Sequence, residues 1–179
     1  MVCWVVVAAF WIVSAFWAKR TKERQALRGR LLCLGLTVLV AVLLIVGIRR
    51  LELNRVVLPP TVAMGILADL IVLLGLWIAI WARATLGGNW SSRVALKEGH
   101  ELIQRGPYRL IRHPIYSGLL LMVLGTAILA GRVSDFFALL ICLGVFWAKA
   151  RQEELLLTKH LPGYSEYMVR TKALVPFIL

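Results

Sequence analysis

The stretch TVAMGILADLIVLLGLWIAIWA, Thr61–Ala82, decides the class of fold: 22 residues carry a single charge, Asp69. Wound as a helix it is about 33 Å long at 1.5 Å per residue, enough to cross a hydrocarbon core of about 30 Å. Four more apolar segments flank it, from Met1 to Ala18, from Leu31 to Ile48, from Pro114 to Gly131 and from Phe136 onward. The last stays apolar only to Ala148, about 20 Å of helix. Its continuation, Lys149-Ala150-Arg151-Gln152-Glu153-Glu154-Leu155-Leu156-Leu157, keeps a helical composition. The expectation is one helix that leaves the membrane without ending and carries its charged turns into an aqueous or protein-lined cavity. The first segment has no basic residue before it and ends in bulky Phe16-Trp17 rather than a small-residue cleavage site, so it reads as a retained helix.

Composition agrees with a chain solvated by lipid. Hydrophobic residues make up 60% and charged residues 17%, against roughly 45–50% and about 25% in soluble domains. Disorder, collagen and a disulfide scaffold are excluded. Cys3, Cys33 and Cys142 each sit inside an apolar run and read as inert packing residues. The net charge of +12 comes from basic residues clustered in the gaps between segments. There they read as interfacial anchors and contacts to anionic lipid, not as a nucleic-acid surface. If five helices span, Lys and Arg number 17 in the first gap, the third gap and the tail, against 4 in the other two gaps. The positive-inside rule then puts the N-terminus outside and the C-terminus in the cytoplasm. Trp17, Trp81 and Trp147, each just before a basic residue at an inner end, fit an aromatic belt.

This topology sets Arg83–His113 and Lys149–Leu179 against one membrane face, where chemistry is expected. The third gap is too long for a simple connection. Within it Ser92–Gly99 alternates like a short hairpin, Gly106-Pro107 makes a turn, and Pro114 suits the first turn of the fourth helix. His113 would stand at that helix entrance, whose unpaired N–H groups favour a ligand carboxylate or phosphate. His113 and Tyr116 read equally well as interfacial anchors. In the tail, Lys149 and Glu153 are spaced for an i,i+4 pair, with Glu154 and Arg151 alongside; a solvated helix end is the competing reading. Tyr164, Tyr167 and the closing Val175-Pro176-Phe177-Ile178-Leu179 suggest a tail that returns to the membrane surface. His100, His113 and His160 lack metal-ligand spacing, and no nucleophile has a partnered base. Asp69 is expected to bond a neighbouring helix, and Gly65, Gly75, Gly118, Gly125 and Gly144 to mark close helix packing.

The run Gly106-Pro107-Tyr108-Arg109-Leu110-Ile111-Arg112-His113-Pro114-Ile115-Tyr116-Ser117-Gly118 is preceded by His100-x-Leu102-Ile103. Glu153-Glu154-x-x-Leu157 and Tyr164-x-x-Tyr167 follow it. In that order these motifs closely resemble the isoprenylcysteine carboxyl methyltransferase family, and in part the phospholipid methyltransferases. The resemblance covers Leu86–Leu179. It implies an all-α integral membrane protein of about five transmembrane helices, with a cytosolic cofactor-binding loop and a C-terminal helical tail. Residues 1–82 would form a three-helix part and residues 83–179 a methyltransferase-like part of one membrane domain.

By the same resemblance the enzyme takes a methyl group from S-adenosylmethionine, leaving S-adenosylhomocysteine. His100, Leu102, Ile103, Tyr108, His113, Pro114, Ile115 and Tyr116 would line the cofactor site, completed by Glu153 with Glu154. The family's substrate-side arginine falls at Lys149, with Arg151 nearby, a point charge where the family has a planar fork. The implied partners are the bilayer and a lipophilic or prenylated carboxylate, without nucleic acid or metal. A carboxylate acceptor is already ionised at neutral pH, so the lack of a general base is consistent with this chemistry. The alternatives are N-methylation of a phospholipid amine, an NADPH-dependent sterol-type reductase, and a non-catalytic lipid-binding protein.

Overall fold

The computed structural model describes residues 2–16, 21–24, 54–90, 95–97 and 102–175. Four long helices and one short one account for most of them: α1 (Val2–Ala15), α2 (Val62–Leu86), α3 (Pro114–Ala130), α4 (Val133–His160) and α5 (Tyr164–Arg170). The second apolar segment, Leu31–Ile48, and the residues Trp17, Cys33 and His100 lie outside the described residues. By length and apolarity α2 and α4 can each cross a membrane, and α1 and α3 are shorter apolar helices.

The ends of α2 follow from local chemistry. The Thr61 hydroxyl caps it by accepting from the Met64 N–H at 3.3 Å. Its close at Gly87, φ 55°, uses a backbone conformation that favours glycine. The helix runs one turn past Ala82, so Arg83 belongs to its last turn rather than to the loop. Pro114 opens α3, and Gly131, left-handed at φ 66°, closes it and turns directly into α4.

Small residues fit α2 against α3. A Cβ on Gly118 would lie 2.7 Å from the Ala79 nitrogen and from the Gly75 oxygen. One on Gly75 would lie 2.5 Å from the Gly118 oxygen, and one on Gly125 2.6 Å from the Ala68 oxygen. Backbones therefore touch along this seam, as small residues allow between apolar helices. Among the described residues Gly65 and Gly144 take no part, since a Cβ on either would meet none of them within 4 Å. Asp69 is exposed on α2 and bonds to no other described residue, so the expected interhelical bond is not seen among them.

α4 is continuous for 28 residues, about 42 Å, through Lys149, Glu153 and Glu154 to His160. The chain as described is not purely helical. Ala95–Lys97 forms a strand whose antiparallel partner is Thr21–Arg24, with Thr21 opposite Lys97 and Arg24 opposite Ala95. Of the hairpin expected over Ser92–Gly99 only these three residues are described, and they pair over a long range; the remainder lies outside the described residues.

The described part of the tail packs against the protein. Tyr164 and Tyr167 are buried, and Lys172–Ala173 runs beside Ile111–His113: the Arg112 N–H donates to Lys172 O at 2.8 Å, and the His113 N–H to Ala173 O at 3.0 Å. The Ser117 hydroxyl donates to Leu174 O. Hydrogen bonding to the loop before α3 holds Lys172–Leu174 on the protein. Residues 176–179 lie outside the described part.

Candidate active site

A cavity of about 240 Å³ opens where the C-terminal half of α1, the end of α2, the start of α3, the middle of α4 and the tail meet. Four of its polar side chains come from two adjacent elements, and Tyr108, Arg112, Tyr164 and Tyr167 add others from the preceding loop and the tail. α3 supplies Tyr116, with His113 just before it, and α4 supplies Lys149 and Glu153, one turn apart on the same face. The Tyr116 hydroxyl donates to Glu153 Oε1 at 2.6 Å. Its ring stacks between His113 (centroids 5.4 Å apart, interplanar angle 9°) and Phe146 (5.1 Å, 4°). Lys149 Nζ lies 5.3 Å from the Tyr116 centroid, a cation–π contact.

Behind this layer lies a buried charge network. Arg112 Nε donates to Glu154 Oε1 at 2.6 Å, with the two side chains 9% and 3% exposed. The His113 ring stands between two carboxylates, Nε2 3.3 Å from Glu154 Oε1 and Nδ1 3.5 Å from Glu153 Oε2. Burial alone lowers the His113 pKa, but the hydrogen bonds and charges of Glu153 and Glu154 outweigh it and hold the pKa above the ordinary value. Arg112 Nη1 also donates to Met168 O at 3.1 Å and to Thr171 O, tying the tail to the network. The Tyr167 hydroxyl donates to Tyr108 O at 2.7 Å. Burial pushes the Tyr167 pKa up to about 12 and raises that of Tyr108 as well, so both hydroxyls stay neutral donors at pH 7.

Of the residues singled out from sequence, Leu102, Ile103, Tyr108, His113, Ile115, Tyr116, Lys149 and Glu153 line the cavity together. Pro114 is buried beside it without lining it. Glu154 points into the Arg112–His113 network, and the Arg151 side chain, 57% exposed, lies over the Trp147 ring with Nη1 3.6 Å from Glu154 Oε2. Sequence reasoning missed Trp11, Trp90 and Phe146 as walls, and Tyr164 and Tyr167 as cover. Arg112 stood inside the quoted motif without an assigned role. Among the described residues no group of three or more His, Cys, Asp or Glu could hold a metal ion.

The residue types fit a sulfonium nucleotide. Glu153, 20% exposed at the cavity, can face a cation, Arg112 an anion, and the tyrosine rings can stack on a base.

Comparison with known proteins gives the family. The profile of the isoprenylcysteine carboxyl methyltransferase (ICMT) family matches residues 67–159, just over half of the chain. The chain belongs to that family. It is 32% identical over 111 residues to a probable protein-S-isoprenylcysteine O-methyltransferase of Oryza sativa subsp. indica, covering 60% of this chain and 58% of that one. It is 30% identical over 95 residues to the cobalt-zinc-cadmium resistance protein CzcN of Cupriavidus metallidurans, covering 52% and 44%. Its fold resembles that of a eukaryotic intramembrane Ras methyltransferase, ICMT, with a TM-score of 0.54 at 20% identity over 80% of this chain and 51% of the other. The chain spans about half the length of these relatives.

Proposed function

We propose that the chain is an S-adenosylmethionine-dependent methyltransferase that esterifies the carboxylate of an isoprenylated cysteine or a similar lipophilic acid. The observation that carries this is the Lys149–Tyr116–Glu153–His113 layer, set in a cavity whose other walls, Arg112 apart, are aromatic and aliphatic. Bound in the cavity, the donor supplies an electrophilic methyl group on a cationic sulfur. An acceptor carboxylate oxygen held by Lys149 would take that methyl group, with the electron pair of the broken carbon–sulfur bond left on sulfur. No proton moves.

The protein's task is alignment and water exclusion, which supply much of the rate in a reaction of this type. Glu153, oriented by the Tyr116 hydroxyl, faces the donor's positive charge. Lys149 holds the acceptor's anion in line. Tyr164 and Tyr167 cover the aqueous side. An amine acceptor is disfavoured, because it needs a base and Glu154 is held by Arg112 and His113. In the membrane the reading places α1 and the C-terminal tail as the positive-inside rule does, N-terminus outside and site cytoplasmic.

Titration with S-adenosylhomocysteine and with NADPH, followed by incubation with methyl-labelled donor and S-farnesylcysteine, tests the proposal. Saturable S-adenosylhomocysteine binding and a labelled methyl ester are expected, with Glu153→Gln weakening that binding while the protein stays folded. Binding of NADPH alone overturns the proposal.

A further inference from the structure

The cavity has a wall from outside the stretch that carries the family match. Trp11, on α1, meets Trp90 edge to face, with centroids 6.4 Å apart and planes at 89°. Arg83 holds the Trp90 indole and the end of α1 that carries Trp11. Arg83, buried in the last turn of α2, donates from Nη2 to Ser14 O at 2.6 Å and from Nη1 to Gly87 O at 2.9 Å. Its Cζ lies 4.4 Å from the Trp90 centroid. A cation placed on carbonyls at two helix C-termini and on an indole face is doubly favoured. The Ser14 hydroxyl bonds back to Trp11 O at 3.2 Å, and at the far end of α1 Trp4 Nε1 donates to Thr126 Oγ1 at 3.2 Å. The wall is therefore braced from behind.

Its depth follows from the helix seam. Ala79 lies against Gly118, and the two helices run antiparallel, so Arg83, one turn beyond Ala79, is level with the start of α3. Ser14 is bonded to Arg83, which brings Trp11 to the level of His113 and Tyr116. Trp11, Leu86 and Trp90 thus stand beside the polar layer, where the first apolar carbons of an acceptor would lie.

We infer that Trp11 is a specificity-determining residue: the braced Trp11–Trp90 wall limits the size of the apolar group admitted next to the reacting head. The inference rests on the methyl-transfer reading. A rigid wall rejects a larger group by overlap more strongly than a roomy one rejects a smaller group.

The test uses the full chain in bilayer nanodiscs, with initial rates at saturating S-adenosylmethionine on cysteines S-alkylated with groups from butyl to geranylgeranyl. Trp11→Ala should raise kcat/KM for the largest acceptor relative to the smallest by about tenfold. Donor KM and S-adenosylhomocysteine affinity should not change. Trp11→Phe should shift the ratio the same way by less, and carries the test if Trp11→Ala does not fold. Ile12→Ala, on the exposed face of α1, should leave the ratio as it is. A size profile unchanged in both Trp11 variants while turnover persists overturns the inference alone, as does an equal loss on all acceptors with weakened S-adenosylhomocysteine binding. A wild-type chain that binds S-adenosylhomocysteine but methylates none of the acceptors overturns the acceptor assignment and the inference with it.

Discussion

Replacing Arg112 with Met removes the cation that joins α4 to the tail. In the wild type its Nε donates to Glu154 at 2.6 Å, and its Nη1 donates to Met168 O and Thr171 O. With the side chains 9% and 3% exposed, water cannot take over these bonds. Removing one member of a buried pair costs about 3–5 kcal/mol, largely because the other charge stays behind. His113 at 3.3 Å and Arg151 at 3.6 Å still face Glu154, which favours the lower end of that range. About 3 kcal/mol corresponds to an equilibrium factor on the order of 150. The loss falls on tail docking, since none of these bonds joins α2 to α3. Hydrogen–deuterium exchange in nanodiscs should therefore show the amides of Arg112, His113 and Lys172 exchanging on the order of a hundredfold faster. Amides around Gly75 and Ala79 should keep their protection. Changing Glu154 to Leu in the same chain should recover most of the loss, because no unpaired charge remains. Unchanged tail protection in a folded Arg112→Met protein would refute the reasoning.

Three further outcomes follow from the geometry. The raised His113 pKa means its stabilisation is complete below the ordinary value near 6.5 and is lost as pH rises through the folded value. The melting temperature should fall as pH rises above the ordinary histidine range, and His113→Gln should flatten that slope; parallel slopes would remove His113 from the network. Gly118→Val must push Ala79 and Gly75 backbone apart and should cost about 3 kcal/mol or more, while Gly65→Ala should be near neutral, both read by thermal unfolding in detergent. Lys149→Ala should lower acceptor turnover by about a hundredfold with S-adenosylhomocysteine affinity intact. Lys149→Arg should retain most of the rate, and a full rate in the alanine variant would dismiss the role.

What could be read from the sequence depended on how local the signal was. The helix over Thr61–Ala82 and the turn into Pro114 are written in consecutive residues, and α4 continuing past Ala148 follows from its composition. The positions of Tyr108, His113, Tyr116, Lys149 and Glu153 on one cavity came from motif order, which no single residue reveals. Trp11 carried no signal, because an indole in an apolar segment looks the same whether it faces lipid or a chamber. The burial of Tyr164 and Tyr167 was equally hidden, because it depends on contacts distant in the chain: Arg112 with the tail, and the Tyr167 hydroxyl with Tyr108 O. The strand at Ala95–Lys97 alternates as a hairpin arm would, yet its partner lies more than 70 residues earlier in the chain. Gly65 and Gly144 show that a glycine in a span is not by itself a contact.

A single rod, α4, holds both the apolar stretch from Phe136 to Ala148 and the two charged groups at Lys149 and Glu153. Lipid thickness is matched by tilting or shifting such a rod, at fractions of a kcal/mol per ångström. A tilt of this rod relative to α3 would carry Lys149 and Glu153 together, and with them the distance from Glu153 to the Tyr116 hydroxyl, which belongs to the other helix.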